Sequence, residues 1–312
     1  MGNNPLSQII FLIPAFVHKI WGSQKLAHKF NFDLPKNTAI GEAWLISAHP
    51  NGMSYVLNGT HKGLSLAQLF KDFPHLFGNP HEAEYPLLTK ILDANDSLSV
   101  QIHPDDEYAQ KHHQSLGKTE CWYVLDCLPE PKGQVILGHF AKTKDQFKQW
   151  VYKGQWNKLL KYVPIKEGQF IYVPSLKIHG LLAHTMVFEL QQSSDITYRL
   201  YDYDRRDDFG NPRVLHLKEA EDIIITPDKD NSDTNAHDNY LVDNQFYKLI
   251  KITNDGIKNY SYPDVRWLQV SVLDGKGTID GEPIKKGDSF ILPHGYNSFT
   301  LDGNLMMMIS YC

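Results

Sequence analysis

The sequence is poor in cysteine: its 312 residues include three, Cys121, Cys127 and Cys312, and no two of them form a CxxC pair. Three is too small and too odd a number for a disulfide framework. Cysteines that stay unpaired are typical of reducing compartments. The composition therefore favours a cytoplasmic protein.

A surplus of basic residues and a long apolar run are also missing. The formal net charge is −5 at pH 7, so there is no excess of cations to neutralise the phosphates of a nucleic acid. The apolar run at 9–17 is too short to span a bilayer and is broken by Pro14. We expect neither nucleic acid nor a membrane as a partner. The content of 42% hydrophobic and 21% charged residues is ordinary for a folded globular chain.

What the sequence does contain is a patterned stretch from 97 to 120. Ser99, Gln101 and His103 alternate with apolar residues, so a strand here would point its polar side chains to one face. Pro104 ends the alternation, and the acidic residues at 105–107 suit the first turn of a helix. The pattern predicts His103 at the rim of a polar strand face, with Glu120 on the next strand.

Turn residues divide most of the chain into short β-like runs, which predicts a mostly β fold. Capping-box patterns at 65–68 and 143–146 predict helices near 65–73 and 143–161. The most polar run, at 227–244, is the predicted linker. We therefore expect a catalytic domain at 1–226 with inserted helices, and a C-terminal β domain at 245–312.

An internal repeat connects the two predicted domains. KEGQFIYVPSLKIHGL, from 166, aligns with KKGDSFILPHGYNSFTL, from 285, and both copies keep the spacing Gly-x5-Pro. Five residues after the proline the first copy has His179 and the second has Ser298. Only the first copy therefore retains a residue that binds metals.

The pattern Gly-x5-Pro-x4-His, which ends at His179, resembles the second motif of the cupin superfamily, whose jelly-roll barrels hold a metal. That superfamily's first motif supplies two ligands two residues apart and a later carboxylate. Gln101, His103 and Glu120 match it, although most cupins have a histidine in place of Gln101. The resemblance implies two cupin jelly-roll barrels, the C-terminal one degenerate.

The metal itself is open to two interpretations. Two imidazoles and one carboxylate suit zinc, and they are also the ligand set of non-haem iron oxygenases. Gln101 as a fourth ligand would fill a position that oxygen needs, and this favours zinc. Because the two imidazoles and the carboxylate also suit iron, an iron cupin oxygenase is kept as an alternative function.

Four segments make the resemblance more specific. PLLTKILDANDSLSVQIHPDDEYA, GKTECWYVL, VPSLKIHGL and SSDITYRLYDYDR resemble, in this order, motifs of type I mannose-6-phosphate isomerase in its short Gram-positive form. The resemblance implies a cytoplasmic enzyme that interconverts mannose 6-phosphate and fructose 6-phosphate with one zinc ion per chain. A monomer or weak homo-oligomer is expected.

The resemblance also implies roles for individual residues. Ser99 and Lys90 would bind the sugar phosphate, and Lys118, Asp195 and Arg199 would lie near the reacting carbons. Without the resemblance, the two lysines would be ordinary surface residues and Asp195 with Arg199 a simple salt bridge. The implied zinc ligands are Gln101, His103, Glu120 and His179.

Isomerisation through a cis-enediol needs a base for a carbon-bound proton and positive charge for the enediolate oxygens. Zinc and Arg199 would supply the charge. Lys118, Asp195 and a zinc-bound hydroxide are the candidates for the base. A non-catalytic sugar-phosphate sensor with the same fold is the remaining alternative.

Overall fold

The computed structural model describes residues 8–207, 209–230 and 234–312. Residues 1–7 of the predicted catalytic domain and 231–233 of the predicted linker lie outside the described residues. Within the described ranges, twenty strands form three antiparallel sheets that are accompanied by six α-helices. The predicted mostly β fold with a few inserted helices is confirmed.

A six-stranded sheet forms one side of the N-terminal unit. All neighbouring strands within this sheet are antiparallel. In spatial order its strands are β10 (Phe170–Val173), β7 (Glu120–Asp126), β12 (Thr185–Gln192), β5 (Leu87–Ala94), β3 (Ile40–Ile46) and β2 (Ala15–Ser23).

A five-stranded sheet packs against it. In spatial order its strands are β13 (Tyr198–Tyr201), β6 (Val100–Ile102), β11 (His179–Leu181), β8 (Gln134–His139) and β9 (Leu160–Pro164). Trp122 and Val173 from the first sheet meet Val135 and Leu181 from the second in one apolar cluster. The two sheets therefore enclose a common interior, as the two layers of a jelly roll do.

The alternation in β6 agrees with the prediction. Val100 and Ile102 are buried in a cluster with Phe147 and Val151, on the outer face of the sheet. Gln101 points the other way and lines a pocket in the interior. The period of two residues thus separates a packing face from a polar face.

The helices lie outside the sheets, and the two capping signals are confirmed. Ser65 and Gln68 form the reciprocal capping box at the start of the second helix, and Thr143 caps the fourth helix by accepting from the Gln146 N–H. The helix predicted over 143–161 is two helices, because the chain turns between them at Gly154, whose φ is +61°. The second helix ends where a strand begins at Leu160. The helices are α1 (Lys25–Phe30), α2 (Leu66–Asp72), α3 (Asp106–His113), α4 (Lys144–Tyr152), α5 (Trp156–Leu159) and α6 (Leu217–Ile223), with a 3-10 turn at Pro74–Phe77.

The third sheet has nine strands and is built mostly from the C-terminal part of the chain. It encloses an apolar cluster that includes Ile250, Val270, Phe290 and Ile309. Its main path is β14 (Tyr240–Asp243), β15 (Lys248–Asn254), β20 (Ser298–Tyr311), β17 (Leu268–Ile279), β19 (Ser289–Leu292), β1 (Ile10–Ile13) and β4 (Tyr55–Val56), with β16 (Ile257–Ser261) on β20 and β18 (Glu282–Lys285) on β17.

Two features of this sheet bear on the predicted domain division, which itself stays a prediction. Strand β14 lies inside the predicted linker 227–244. Strand β1, from the beginning of the chain, pairs with β19 through Ile10 and Ile291. The C-terminal sheet thus includes strands from outside the range 245–312.

The internal repeat is visible as one local structure that occurs twice. Gly168 and Gly287 both have positive φ, +80° and +95°, a conformation that glycine adopts without steric penalty. Each glycine begins a turn that leads into a four-residue strand two positions later, β10 or β19. A proline follows each strand, and the first turn thereby directs the chain toward His179.

Candidate active site

Three side chains from distant parts of the chain meet in the interior of the N-terminal unit. His103 follows β6, Glu120 begins β7 and His179 begins β11. Their ligand atoms lie within 4.8 Å of one another, and all three residues are buried. Glu120 Oε2 lies 3.4 Å from His103 Nε2, and Glu120 Oε1 lies 3.4 Å from His179 Nε2.

Hydrogen bonds to the backbone fix the tautomer of both histidines. His103 Nδ1 lies 2.9 Å from the carbonyl oxygen of Ile196, and His179 Nδ1 lies 2.8 Å from that of Lys177. A carbonyl only accepts, so each Nδ1 donates and each Nε2 keeps its lone pair. Burial, aided by the Lys118 ammonium, lowers the pKa of His103 to about 3. Burial likewise lowers the pKa of His179, so both rings are neutral.

The arrangement of His103, His179 and Glu120 indicates a binding site for a cation. The two Nε2 atoms are 3.1 Å apart, and neither carries a proton that could join them. Burial opposes ionisation of Glu120, but the Lys118 ammonium together with the His103 and His179 rings outweighs it and holds the pKa of this carboxyl well below its usual range. Glu120 Oε2 lies 3.1 Å from Lys118 Nζ, yet it is buried and accepts no hydrogen bond within the part of the chain that the structure describes. Two imidazole Nε2 atoms and a carboxylate fit a zinc-type metal site. The hydrogen bond from each Nδ1 to a backbone carbonyl orients the ring for this role.

Gln101, the fourth predicted ligand, is at the centre of β6. It pairs with His179 on one side and with Arg199 on the other, and its side chain lines the pocket beside the cluster. This position is compatible with the predicted role, which stays a prediction.

The pocket has a volume of about 110 Å³ and lies between the two sheets. Its lining is mostly polar, and it brings together every predicted site residue outside the three-residue cluster. The cluster adjoins it through Lys118, which contacts Glu120. The predicted residues in the lining are Lys90, Ser99, Gln101, Lys118, Asp195 and Arg199.

Lys90 is held differently from a surface lysine. Its Nζ lies 3.8 Å from Glu42 and 3.4 Å from Glu189, and 4.6 Å from the ring centre of Trp44. Burial acts to lower the pKa of Lys90, but the two carboxylates outweigh it and raise the pKa above its usual range. Lys90 is therefore a permanent cation whose charge is compensated within the protein.

Arg199 and Asp195 are not simply a salt bridge to each other. Asp195 accepts a hydrogen bond of 3.0 Å from Asn51 Nδ2. Burial opposes its ionisation, but Lys90 and this hydrogen bond lower its pKa, so it is a carboxylate. Arg199 Nε is buried and has no hydrogen-bond partner among the described residues, and burial together with Arg213 lowers the pKa of Arg199. Arg199 also lines the pocket, so the charge of its guanidinium acts on a substrate oxygen there.

Sequence reasoning missed several residues that line the same pocket. Glu42 and Glu189 had a usable signal, since a carboxylate inside a buried apolar strand requires a partner. Lys19, Thr197 and Arg213 had none, because each takes its place through long-range packing. The structure adds to the lining Lys19, Glu42, Glu189, Thr197 and Arg213.

Comparison with known proteins identifies the family. Residues 9–124 match the family described as phosphomannose isomerase type I, catalytic domain, and residues 241–312 match the mannose-6-phosphate isomerase cupin domain. The chain is 42% identical to the probable mannose-6-phosphate isomerase GmuF of Bacillus subtilis, covering 97% of this chain and 98% of that protein. The chain belongs to the type I phosphomannose isomerase family.

Other family members support this assignment. The mannose-6-phosphate isomerase of Streptococcus mutans is 42% identical, with 98% of this chain and 99% of that protein covered. The crystal structure of the Bacillus subtilis mannose 6-phosphate isomerase superposes with a TM-score of 0.91 at 38% identity, covering 97% of this chain and 99% of that one. The predicted resemblance and the predicted cupin fold are confirmed.

The two matched ranges cover the candidate site unevenly. The catalytic-domain match at 9–124 includes Ser99, His103 and Glu120, whereas His179 and Arg199 lie between the two matched ranges. Among the described residues, no helix is long and apolar enough to cross a membrane.

Proposed function

We propose that this chain interconverts D-mannose 6-phosphate and D-fructose 6-phosphate. One observation carries the proposal: a buried cluster of two neutral imidazoles and a carboxylate adjoins a polar pocket that Arg199 lines. A metal site beside a free guanidinium suits a reaction in which negative charge develops on substrate oxygens. The named relatives among the phosphomannose isomerases support the choice of substrate.

The metal in this proposal is one zinc ion per chain. His103, Glu120 and His179 would hold it, with the Gln101 side chain as the fourth ligand. When bound, zinc supplies Lewis-acid charge that polarises the oxygens of the sugar. The neutral Nε2 lone pairs and the ionised carboxylate support this assignment.

Ser99 and Lys90 are the proposed ligands of the sugar phosphate. Ser99 is buried and lines the pocket on the same strand face as Gln101, so that its hydroxyl can donate to a phosphate oxygen. Lys90 is compensated by Glu42 and Glu189, and it adds a fixed charge rather than a mobile one. An anionic substrate is thus accommodated on an acidic protein.

Proton transfer between C2 and C1 of the open-chain sugar is assigned to Lys118 and Asp195. One of them removes the proton from C2 of mannose 6-phosphate, and the same proton is returned to C1 of the enediol. Asp195 is already ionised and is oriented by Asn51, whereas Lys118 lies against Glu120. Arg199 would stabilise the enediolate oxygens through its guanidinium.

The test is a coupled assay of mannose 6-phosphate turnover on metal-stripped protein, with zinc and then iron added back. We expect activity to return with zinc. Lys118→Ala and Asp195→Asn, assayed at equal zinc content, would show which residue transfers the proton. No turnover with either metal restored would refute the isomerase, and oxygen consumption with iron would favour the oxygenase.

A cytoplasmic location and a monomeric or weakly associating state complete the proposal. The scarcity of cysteine supports the location. Size-exclusion chromatography with light scattering measures the state of association directly.

A further inference from the structure

Arg213 reaches the pocket from a segment without regular structure. It lies between an isolated bridge at Arg206 and Pro212 and the start of α6, and its side chain lines the same pocket as Ser99 and Arg199. A long side chain on such a segment has many rotamers, and fixing it has an entropic cost. Its position therefore needs a holding contact.

Asp202 provides that contact. This residue follows β13 directly and is 4% exposed. Its Oδ2 accepts a hydrogen bond of 2.6 Å from Arg213 Nε, and its Oδ1 accepts a second from Arg213 Nη2. A bidentate pair fixes the plane of a guanidinium as well as its distance.

Arg205 in turn holds Asp202. Arg205 Nη2 donates to Asp202 Oδ1 over 2.6 Å, and Arg205 Nη1 donates to the carbonyl oxygen of Ser97. Ser97 comes two residues before Ser99 on the approach to β6. The carboxylate of Asp202 is thus the point where the segment of Arg213 is tied to the strand that forms the pocket floor.

The arrangement places two guanidinium groups at one pocket. Arg199 and Arg213 are close enough that Arg213 is, after burial, the main cause of the lowered pKa of Arg199. Like charges held together by surrounding structure are typical of a site for an anion. Asp202 uses the Nε and Nη2 edge of Arg213, so it restrains this cation while leaving its charge near the pocket.

We propose that Asp202 is a positioning residue, which sets the affinity of the pocket for a phosphate group by fixing Arg213. The inference rests on the proposed function, since it assigns this role for a phosphorylated substrate. It predicts a defect in phosphate binding rather than in the chemical step. Asp202 touches neither the three-residue metal cluster nor Asp195 in any contact found among the described residues.

The test variants are Asp202→Asn, Arg213→Ala and the double variant that combines these two changes. The control variant is Asp204→Asn. Asp204 is an exposed carboxylate two residues away. Asp204→Asn therefore removes the same charge and leaves the hydrogen bonds between Asp202 and Arg213 in place. The dissociation constant of inorganic phosphate is measured by titration calorimetry on the zinc-loaded protein, and KM and kcat are measured for mannose 6-phosphate. Far-UV circular dichroism and zinc content verify that each variant is folded and loaded.

We expect the phosphate dissociation constant and KM to rise about tenfold in Asp202→Asn and in Arg213→Ala, with kcat within about threefold of wild type. The double variant should be no worse than Arg213→Ala alone, because Asp202 acts through Arg213. Asp204→Asn should bind phosphate as the wild type does.

Three results would overturn the proposal: unchanged phosphate binding in Arg213→Ala, additive losses in the double variant, or a fall in kcat with KM unchanged. Should Asp202→Asn not fold, Arg213→Lys replaces it, since lysine keeps the charge and loses the bidentate pair; wild-type phosphate affinity in that variant would refute the positioning role. The calorimetric measurement needs no turnover. A wild-type protein that binds phosphate but does not isomerise mannose 6-phosphate would therefore refute the proposed function. The role of Asp202 in phosphate binding would still be decided by calorimetry.

Discussion

The two halves of this molecule use the same strand arrangement for different purposes. In the N-terminal unit the order β3, β5, β12, β7, β10 has the same pairing as β14, β15, β20, β17, β19 in the C-terminal sheet. The two repeated turns align these strands residue by residue. Each position of the candidate metal site therefore has a counterpart in the second copy.

The counterparts can be read from strand register. Glu120 pairs with Val173, which is five residues after Gly168, and Leu268 pairs with Leu292, which is five residues after Gly287. His179 pairs with Gln101, and Ser298 pairs with Ser261. The second copy thus has Leu268, Ser298 and Ser261 in place of Glu120, His179 and Gln101, and none of these three is a usual metal ligand.

The second copy also lacks the buried charges of the first sheet. Glu189 and Lys90 lie there in one row of cross-strand partners, which we call the charged row. Trp122, Glu189, Lys90 and Trp44 are successive cross-strand partners. Their counterparts by register are Val270, Ile309, Ile250 and Tyr240. The comparison shows that this strand arrangement forms without the buried charges of the first copy, as long as its interior is filled.

The largest expected effect comes from making the first copy resemble the second at Glu120. Glu120→Gln keeps the shape of the side chain and removes its charge. We expect loss of bound zinc and a fall in mannose 6-phosphate turnover of about a thousandfold or more, because a Lewis acid contributes several kcal/mol to such reactions. Elemental analysis and the coupled assay measure both. A variant that keeps zinc and full turnover would show that Glu120 is not a ligand.

Lys90 tests the charged row. Lys90→Met removes the cation beside Glu189 and leaves Glu42 with Lys19 alone, and we expect the free energy of unfolding to fall by about 3–5 kcal/mol. The double variant Lys90→Met/Glu189→Gln should recover part of this loss, since glutamine still accepts from Trp122, while turnover stays low. Urea denaturation measures the stability. If the single variant is as stable as wild type, the row does not balance charge as described.

Leu268 is the matched position in the second copy. Leu268→Ala opens a cavity in the apolar cluster there, and we expect a loss of about 2–5 kcal/mol of unfolding free energy. Zinc content and kcat per folded molecule should stay at the wild-type level. A selective loss of zinc at temperatures where the protein remains folded would contradict the division of roles between the two copies.

The smallest effect is expected for Ser298→His, which restores the histidine of the motif in the second copy. Ser298 is exposed and bonds to Ser261, so the change in stability should stay within about 0.5 kcal/mol. No second zinc should bind, because Leu268 offers no ligand opposite it. Two zinc ions per chain would show that a histidine in this turn is sufficient.

The sequence predicted those parts of the molecule that depend on neighbouring residues. The alternation at 98–103, the caps at Ser65 and Thr143 and the two glycine turns are all local, and the structure has each of them. The candidate metal cluster followed from spacing together with family resemblance. The three residues of that cluster lie at or next to the end of a strand, where local patterns mark the boundary.

What the sequence did not predict depends on distant partners. Glu42 and Glu189 take part in the site because they flank Lys90 across three strands. Arg213 does so because Asp202 holds it. The single helix predicted over 143–161 was wrong, since Gly154 takes a positive φ between two helices. Its predicted C-terminal end was wrong because pairing of β9 with β8 begins at Leu160 and competes with helix formation. Such competition is decided by tertiary contacts rather than by propensity.

The position of β1 has a consequence for how the protein is made. During synthesis this strand leaves the ribosome early, whereas its partner β19 emerges only when most of the chain has been translated. Closing so long a loop is slow, and until then the edge of β1 is a row of open hydrogen-bonding groups. This edge of β1 therefore stays unpaired until β19 has been synthesised, and the C-terminal sheet cannot be completed before then.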